Sequence, residues 1–433
     1  MEQRQCALED LVSGTAPTPP RQTDARCRGC GTPLRHVFVD LGQSPIANAF
    51  LRADQLESAE RTYPLCVYVC EDCLLVQLEQ FEAPDTIFNA DYAYFSSFSD
   101  SWVQHARDYA DLAISRFRLD GSHRVVEIAS NDGYLLQWFQ RQGIPVLGIE
   151  PSANTARAAE AKGIECVTRF FGLQLADELA KQDRAADLLV GNNVLAHVPD
   201  ILDFVAGMKR ALKPSGVISV EFPHFLNLFR ETQFDTIYHE HFSYLSLLAV
   251  QRIFSAAGLT IFDVAEIPTH GGSLRVFAAH TDGNRRPIAA SVESVLSKER
   301  NAGLERVAAY RGFGERVAAL REELLSLLRG LTATGATIAG YGAPAKGNTL
   351  LNYCGISTDL IAFTVDRSPV KQDHFLPGSR IPISDPARIW TERPDYVLIL
   401  PWNLQEEIMS QLAGIREWGG RFILPIPQPR VMV

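Results

Sequence analysis

Val125-Val126-Glu127-Ile128-Ala129-Ser130-Asn131-Asp132-Gly133-Tyr134-Leu135-Leu136 is an apolar run ending in an acid, then a short polar turn closing on Gly133, then the start of a helical pattern. Val146-Leu147-Gly148-Ile149-Glu150 follows as a second apolar run that also ends in an acid. The order strand, tight turn, helix, strand predicts a unit of parallel α/β sheet with Glu150 at the carboxyl end of its second strand. Ligands of such sheets sit just outside those strand ends. A carboxylate at Glu150 can accept both hydroxyls of a ribose, so the unit predicts an adenosine-containing ligand.

The turn separates two candidates. A dinucleotide site uses closely spaced glycines so that a pyrophosphate can approach bare backbone at a helix N-terminus. Here Ala129 and Asn131 stand where such glycines would be wanted, and Asp132 would repel a phosphate. S-adenosylmethionine carries no phosphate, and its ammonium and sulfonium are cations, which suits Glu127 and Asp132. The turn therefore favours S-adenosylmethionine, with Glu127, Ala129, Asn131, Gly133, Tyr134 and Glu150 as its expected contacts. An ordinary strand-helix-strand unit without a ligand is the plain alternative. Ala186 to Val198 reads as a third strand running into a polar turn, which adds Asn192 and Asn193 to the cofactor contacts. Lys213 to Glu221 reads as a turn and a further strand, and the alternation predicts a doubly wound, Rossmann-like sheet.

The chain has 433 residues, room for two or three domains. With 46% hydrophobic and 21% charged residues its composition is that of a globular protein. A formal net charge of -10 argues against a nucleic-acid surface. No apolar run approaches the roughly 18 residues of a membrane span. The N-terminus lacks the basic-then-apolar order of a signal peptide, so a cytoplasmic location is expected. Residues 1–24, with Gly14-Thr15-Ala16-Pro17-Thr18-Pro19-Pro20, read as a disordered tail.

Four of the eight cysteines form two C-x-x-C pairs, Cys27/Cys30 and Cys70/Cys73. In a cytosolic chain this predicts a tetrahedral zinc site. Four thiolates leave no open position for water, so the zinc would be structural, stapling residues 25–80. Unligated or redox-active thiols are the alternative, and Cys66 lies near enough in sequence to compete as a ligand. Cys6, Cys166 and Cys354 read as buried or incidental thiols.

Acid–base chemistry points to Tyr238-His239-Glu240-His241-Phe242-Ser243-Tyr244-Leu245, the densest histidine group. Adjacent residues do not all face one way, and the H-E-x-x-H spacing of a hydrolase zinc site is missing. Tyr, Glu and His together suit proton transfer better, and a hydrogen-bonded polar turn is the alternative. Thr269-His270-Gly271-Gly272-Ser273-Leu274-Arg275-Val276 sets paired glycines before a strand. His270 and Gly271 are expected close to a ligand and Arg275 on a phosphate, unless this is a plain hairpin turn.

Residues 291–331 carry Val317, Leu320, Leu324, Leu327 and Leu331 at helical spacing and predict a packed connecting helix. Ala336 to Asn348 then repeats the opening pattern of strand, Gly-rich turn and helix. This second turn carries Lys346 and no acid, which suits a diphosphate. Tyr341, Lys346 and Asn348 are the expected contacts. Further strands are expected at Ile361 to Asp366, which ends in an acid, Tyr396 to Pro401 and Arg421 to Pro425.

The order of these features, with Tyr92-Ala93-Tyr94-Phe95-Ser96-Ser97 between the cysteine pairs and the opening stretch, resembles the S-adenosylmethionine-dependent sugar C-methyltransferases. Those enzymes build branched-chain deoxysugars from nucleotide-linked keto sugars. The resemblance covers nearly the whole chain after about residue 25. It implies an N-terminal zinc domain at 25–80, a helical connector at 81–120, a methyltransferase domain of the Rossmann-like class at 121–285, and a second Rossmann-like domain at 286–433 holding the nucleotide sugar. It implies zinc on Cys27, Cys30, Cys70 and Cys73. It also places Tyr92, His197, Tyr238, Glu240 and His241 at the reaction centre, with His241 as the base. One departure is visible: the family's turn usually has a glycine where this chain has Ala129, whose methyl is expected to crowd the cofactor.

The implied reaction removes a proton from C3, less favourably C5, of a 4-keto sugar to give an enolate. Tyr238, Tyr92 or His197 would stabilise the enolate oxygen, and Glu240 would position neighbouring groups. The expected partner is a dTDP-linked keto sugar, on a monomer that binds neither nucleic acid nor membrane. An O- or N-methyltransferase of a small molecule and a non-catalytic nucleotide-sugar-binding protein are the alternatives.

Overall fold

The computed structural model describes residues 25–82, 95–282 and 286–432. The expected tail at 1–24 and Tyr92 lie outside the described residues. Three sheets organise the rest.

The central sheet has seven strands. Its order from one edge is Leu259–Ile267, Ser273–His280, Leu212–Pro223, Ala186–Asn192, Val125–Ile128, Val146–Ile149 and Cys166–Val167. The last five are mutually parallel, and Ser273–His280 runs antiparallel to both its neighbours. All four residues of Val125–Ile128 are buried, as expected for a parallel strand covered on both faces. Its register pairs Ile128 with Ile149 on one side and Glu127 with Val190 on the other. The chain leaves it in opposite directions along the sheet, so it is the switch point. The turn after Ile128, Glu150, and Asn192 with Asn193 therefore meet at one carboxyl edge.

The helix Asp100–Phe117 packs as part of this domain. Ser99 caps its N-terminus by accepting the Trp102 amide, and Arg118, at φ 54°, closes its C-terminus. Ala106, Tyr109, Ala110 and Ala113 on one face bury against Val125, Leu188 and Phe277. Burying a side chain as large as Tyr109 stabilises by roughly 2 kcal/mol. Expected in sequence as part of a connector, the helix is core to the methyltransferase unit.

The N-terminal sheet is antiparallel, with strands His36–Ser44, Tyr63–Val69, Val76–Leu78 and Ser243–Tyr244. Its fourth strand comes from the central domain, separated from His241 by Phe242 alone. The C-terminal sheet has the order Ile383–Ser384, Thr364–Val365, Ile338–Tyr341, Tyr396–Ile399, Arg421–Leu424 and Arg430–Met432, parallel except for the last. The two end domains share one core, in which Phe38, Leu41, Leu65 and Val67 pack with Leu320, Leu324, Ile338 and Leu398. Reciprocal bonds between the Leu51 and Phe375 backbones (2.9 and 2.8 Å) seal this contact.

The expected helix over 291–331 is two helices, Ala290–Asn301 and Phe313–Ala333. Gly303 and Gly312, both at φ 81°, carry the turn between them. Val317, Leu320 and Leu324 are buried as predicted, but Leu325 and Leu328 share that face, while Leu327 and Leu331 are only partly buried.

Candidate active site

The four cysteines converge. The Sγ atoms of Cys27, Cys30, Cys70 and Cys73 all lie within 4.8 Å of one another. Zinc–sulfur bonds of about 2.3 Å in a tetrahedron need S–S separations near 3.8 Å, so the set fits a closed zinc site. Amides of Gly29 and Asp72 point at Cys27 and Cys70, and Gln77 Nε2 donates to Cys27 Sγ at 3.1 Å. Such donors orient metal-bound thiolates. Cys66 is buried outside the cluster.

A cavity of about 1030 Å³ opens at the carboxyl edge of the central sheet, lined by all three domains. Its cofactor end holds Ala129, Asn131, Tyr134, Glu150, Asn192 and Asn193. The turn is left-handed at three positions, Ala129 (φ 56°), Asn131 (φ 50°) and Gly133 (φ 75°). A Cβ on Gly133 would stand 2.4 Å from Ile164 Cδ1. Glu150 anchors the edge by accepting the Asn131 amide at 2.9 Å and the Ser152 amide at 2.8 Å. Burial raises its pKa, with those amides opposing. Glu127 lies deeper, fully buried behind the wall. Burial and the nearby Asp132 and Glu150 carboxylates push its pKa well above the usual range, against a hydrogen bond from Tyr134.

This end fits S-adenosylmethionine on its own chemistry. Of the three acids around the turn, Glu150 lines the cavity, Asp132 is engaged by Ser97 and Lys162, and Glu127 lies behind it. Asn192 Oδ1 and Asn193 Oδ1 are buried acceptors without a hydrogen-bond donor among the described residues. Trp102, which sequence reading missed, stacks between His105 (4.9 Å) and Tyr134 (6.0 Å) and completes the wall.

The other end holds His197, Tyr238, Glu240, His241, His270 and Lys346. His241 Nδ1 lies 2.7 Å from the Thr236 carbonyl, so that nitrogen carries the proton, and Nε2 accepts the Tyr238 hydroxyl at 2.8 Å. His197 Nδ1 donates to the Glu240 carbonyl at 2.9 Å, and its ring meets His241 edge-on at 4.6 Å. Burial lowers the His197 pKa to about 4. Burial also lowers the His241 pKa well below that of ordinary histidine, with His197 adding to the effect, so both rings are neutral near pH 7. Glu240 is buried and accepts from Asn48 Nδ2 at 2.7 Å, a contact from the N-terminal domain. Burial pushes its pKa up to about 7, against Asn48 and the charge of Lys371. Neither Asn48 nor Lys371 carried a signal in sequence.

The residues expected on the second ligand divide. His270, at φ 54°, lines the cavity with Nε2 3.2 Å from Asn193 Nδ2. Lys346 lines it too, donating to Asn403 Oδ1 at 2.8 Å and sitting 4.5 Å over the Trp402 ring. Trp402 is fixed by Asp235, whose Oδ2 accepts its indole N–H at 2.6 Å. Gly271 packs against Trp402 beside the cavity. Arg275 is not brought into it: the guanidinium is buried, pairs with Glu221 at 2.8 Å and lies 4.3 Å over Tyr109. Tyr341 donates to Gln411 Oε1, and Asn348 donates to the Ala47 carbonyl, both away from the cavity.

Sheet order, acidic turn and cavity define the class: this is an S-adenosylmethionine-dependent methyltransferase with a structural zinc site. Residues 102–264 match the family model of a methyltransferase domain, residues 27–88 that of a zinc binding domain, and residues 268–427 that of a C-methyltransferase C-terminal domain. The chain is 39% identical over 406 residues to the C-methyltransferase NovU of Streptomyces niveus, covering 94% of this chain and 96% of that protein. The chain belongs to the C-methyltransferase family. A shorter match, 30% identity over 98 residues, joins 22% of the chain to 39% of the ubiquinone biosynthesis O-methyltransferase of Chelativorans sp. (strain BNC1). Among solved structures, the 1,6-didemethyltoxoflavin-N1-methyltransferase of Burkholderia thailandensis overlaps 50% of this chain and 98% of its own, at 17% identity and TM-score 0.36. An overlap at that score adds nothing to the assignment. Among the described residues, no helix is long and apolar enough to cross a membrane.

Proposed function

We propose that the chain methylates carbon C3 of a nucleotide-linked 4-keto deoxysugar, with dTDP as the nucleotide, in branched-chain deoxysugar biosynthesis. The observation that carries this reading is one cavity with two ends. A cofactor end with Glu150 and the acceptors of Asn192 and Asn193, unpaired among the described residues, meets a cluster of neutral imidazoles, a tyrosine and a carboxyl group, with Lys346 on the same wall. Carbon is a nucleophile only after deprotonation beside a carbonyl, and that cluster is what such a step requires.

His241 accepts the C3 proton at Nε2, directly once Tyr238 swings aside or through the Tyr238 hydroxyl that already donates to it. Its low pKa makes it a weak base at rest. Negative charge developing on the adjacent enolate raises it when it is needed. Tyr238, once it has swung off His241, donates a hydrogen bond to the enolate oxygen, whereas neutral His197 has its one N–H on the Glu240 carbonyl and gives it none. Bound S-adenosylmethionine supplies the electrophilic methyl that the enolate carbon takes. Glu240, fixed by Asn48, orients a sugar hydroxyl, and Lys346 takes the diphosphate.

A second reading has Glu240 as the base, because a pKa of about 7 suits proton transfer at neutral pH. The rate of solvent-deuterium exchange at C3 against pH separates the two. An inflection near 7 that vanishes in Glu240→Gln assigns the base to Glu240. A profile without that inflection leaves it on His241. The function itself is tested by incubation with a panel of nucleotide-linked 4-keto sugars and mass spectrometry of the product. Methyl gain on a hydroxyl oxygen, or none on any keto sugar, would overturn it.

A further inference from the structure

Arg28 stands between two zinc ligands, Cys27 and Cys30, yet its guanidinium turns away from the sulfurs. Nη1 donates to the Pro199 carbonyl at 2.6 Å and Nη2 to the Leu78 carbonyl at 2.5 Å. The group lies 5.3 Å over the Phe242 ring. Its own backbone is tied to the knuckle: the Arg28 amide donates to Gln77 Oε1 at 2.9 Å, and Gln77 Nε2 donates to Cys27 Sγ at 3.1 Å.

Two of these three contacts, Pro199 and Phe242, border the reaction centre. Pro199 closes the loop that begins at His197, and Phe242 follows His241. The two segments are also joined directly, since the Phe242 amide donates to the Ala196 carbonyl at 2.8 Å. The Leu78 amide donates to the Phe242 carbonyl at 3.0 Å, and Ser243–Tyr244 completes the sheet of the zinc domain. A continuous chain of polar contacts thus runs from Cys27 Sγ through Gln77 and Arg28 to the segments carrying both histidines.

We infer that the zinc knuckle is a positioning element of the reaction centre, with Arg28 setting the spacing between the His197 loop and the His241 segment. The inference rests on the proposed function only for the part these histidines play. A guanidinium is suited to the task because its planar fork reaches two carbonyls at once, which a single ammonium cannot do with the same geometry. Misplacement of a reacting group by about 1 Å can cost on the order of 100-fold in rate.

The test uses the full-length, zinc-loaded protein carrying Arg28→Gln or Arg28→Lys. Four quantities are read: zinc per chain, S-adenosylmethionine affinity by calorimetry, kcat and KM, and the imidazole NMR signals of His197 and His241 in ¹⁵N-histidine-labelled protein. Retained zinc and cofactor affinity are expected, with shifted imidazole signals. The kcat of Arg28→Gln is expected to fall on the order of 100-fold with KM little changed, and Arg28→Lys to recover part of it. Wild-type imidazole signals and kcat in either zinc-replete variant would overturn the inference. Loss of zinc from both variants would overturn it too, because Arg28 would then serve the metal site alone. If the proposed substrate is wrong, the wild type shows no turnover on any keto sugar, and the imidazole signals still decide the question.

Discussion

The Tyr238 hydroxyl donates to Nε2 of His241 across 2.8 Å, while the Thr236 carbonyl holds the proton on Nδ1 of the same ring. The tautomer is thereby fixed, and the lone pair that could take a proton faces the tyrosine. Removing the ring in His241→Ala is expected to lower kcat by a factor on the order of 10²–10⁴, the usual reach of one acid–base group. S-adenosylmethionine affinity should persist, because the cofactor end is built from other residues. Solvent-deuterium exchange at the acceptor carbon checks this directly. Exchange at the wild-type rate in His241→Ala would remove His241 from the role.

Glu240 gives a stability signature that is independent of substrate. Burial raises its pKa from 4.5 to about 7. Below pH 4.5 it is protonated whether the chain is folded or not, and nothing is lost. As pH rises toward 7 the unfolded chain releases this proton while the folded chain keeps it, so folding becomes less favourable. Above 7 the full cost is present, on the order of 3 kcal/mol. Glu240→Gln keeps an oxygen for Asn48 and carries no such cost. The variant should therefore gain stability relative to wild type between pH 5 and pH 8. Denaturant unfolding at the two pH values measures the gap, and a constant gap would show that Glu240 is ionised in the fold.

Ala129 occupies a left-handed conformation at φ 56°, which gives the family's glycine at this position a backbone reason. A residue with a Cβ costs about 1–2 kcal/mol there. Part of that gain is lost through the larger unfolded-state freedom of glycine, about 0.4–1 kcal/mol. Ala129→Gly should thus raise stability by roughly 0.5–1 kcal/mol, without weakening S-adenosylmethionine binding. Thermal unfolding and calorimetry of the variant test both halves. A destabilised variant would mean that the methyl makes packing contacts worth more than the strain.

Sequence carried the parts of the fold that are local. The strand, turn and helix at Val125 to Arg141, the strand ending at Glu150 and the repeat at Ile338 to Cys354 all follow from short-range pattern. The two C-x-x-C pairs likewise announce their own geometry. Pattern failed where burial removed it. Every residue from Ser273 to Ala279 is buried, so no alternation told Arg275 to face the core and not a ligand. It failed again where a lone polar residue acts across long separations. Asn48 meets Glu240 from 192 positions away, and Lys371 enters from the opposite end of the chain. Neither sits in a motif, and only packing of the two end domains against one core brings them to the cavity.

Arg275 is therefore expected to behave as a structural residue. Its partner Glu221 is fully buried and also accepts from His105 at 3.1 Å and from the Thr269 hydroxyl at 3.0 Å. Burial works to raise the Glu221 pKa, but the His105 hydrogen bond and the Arg275 charge outweigh it and hold it low. Arg275→Met would leave a buried carboxylate short of its guanidinium, at a cost of about 3–5 kcal/mol. Stability should fall by that order while the KM for nucleotide sugar in the remaining folded enzyme is unchanged. A variant of normal stability with raised KM would return Arg275 to the ligand.

Lys346, unlike Arg275, does reach the cavity, alongside Lys371. Burial lowers its pKa, the Asp235 carboxylate works against that, and the amino group sits beside the Trp402 face. If it takes the diphosphate, Lys346→Gln removes a charge-assisted hydrogen bond worth about 1.5–3 kcal/mol. Competitive inhibition by the free nucleoside diphosphate should then weaken roughly 10- to 100-fold, in step with the rise in KM, while cofactor affinity stays put. The same lysine also acts on His241 and His270, lowering the pKa of each. A fall in kcat with unchanged nucleoside diphosphate inhibition would therefore place its charge at the enolate and not at the phosphates.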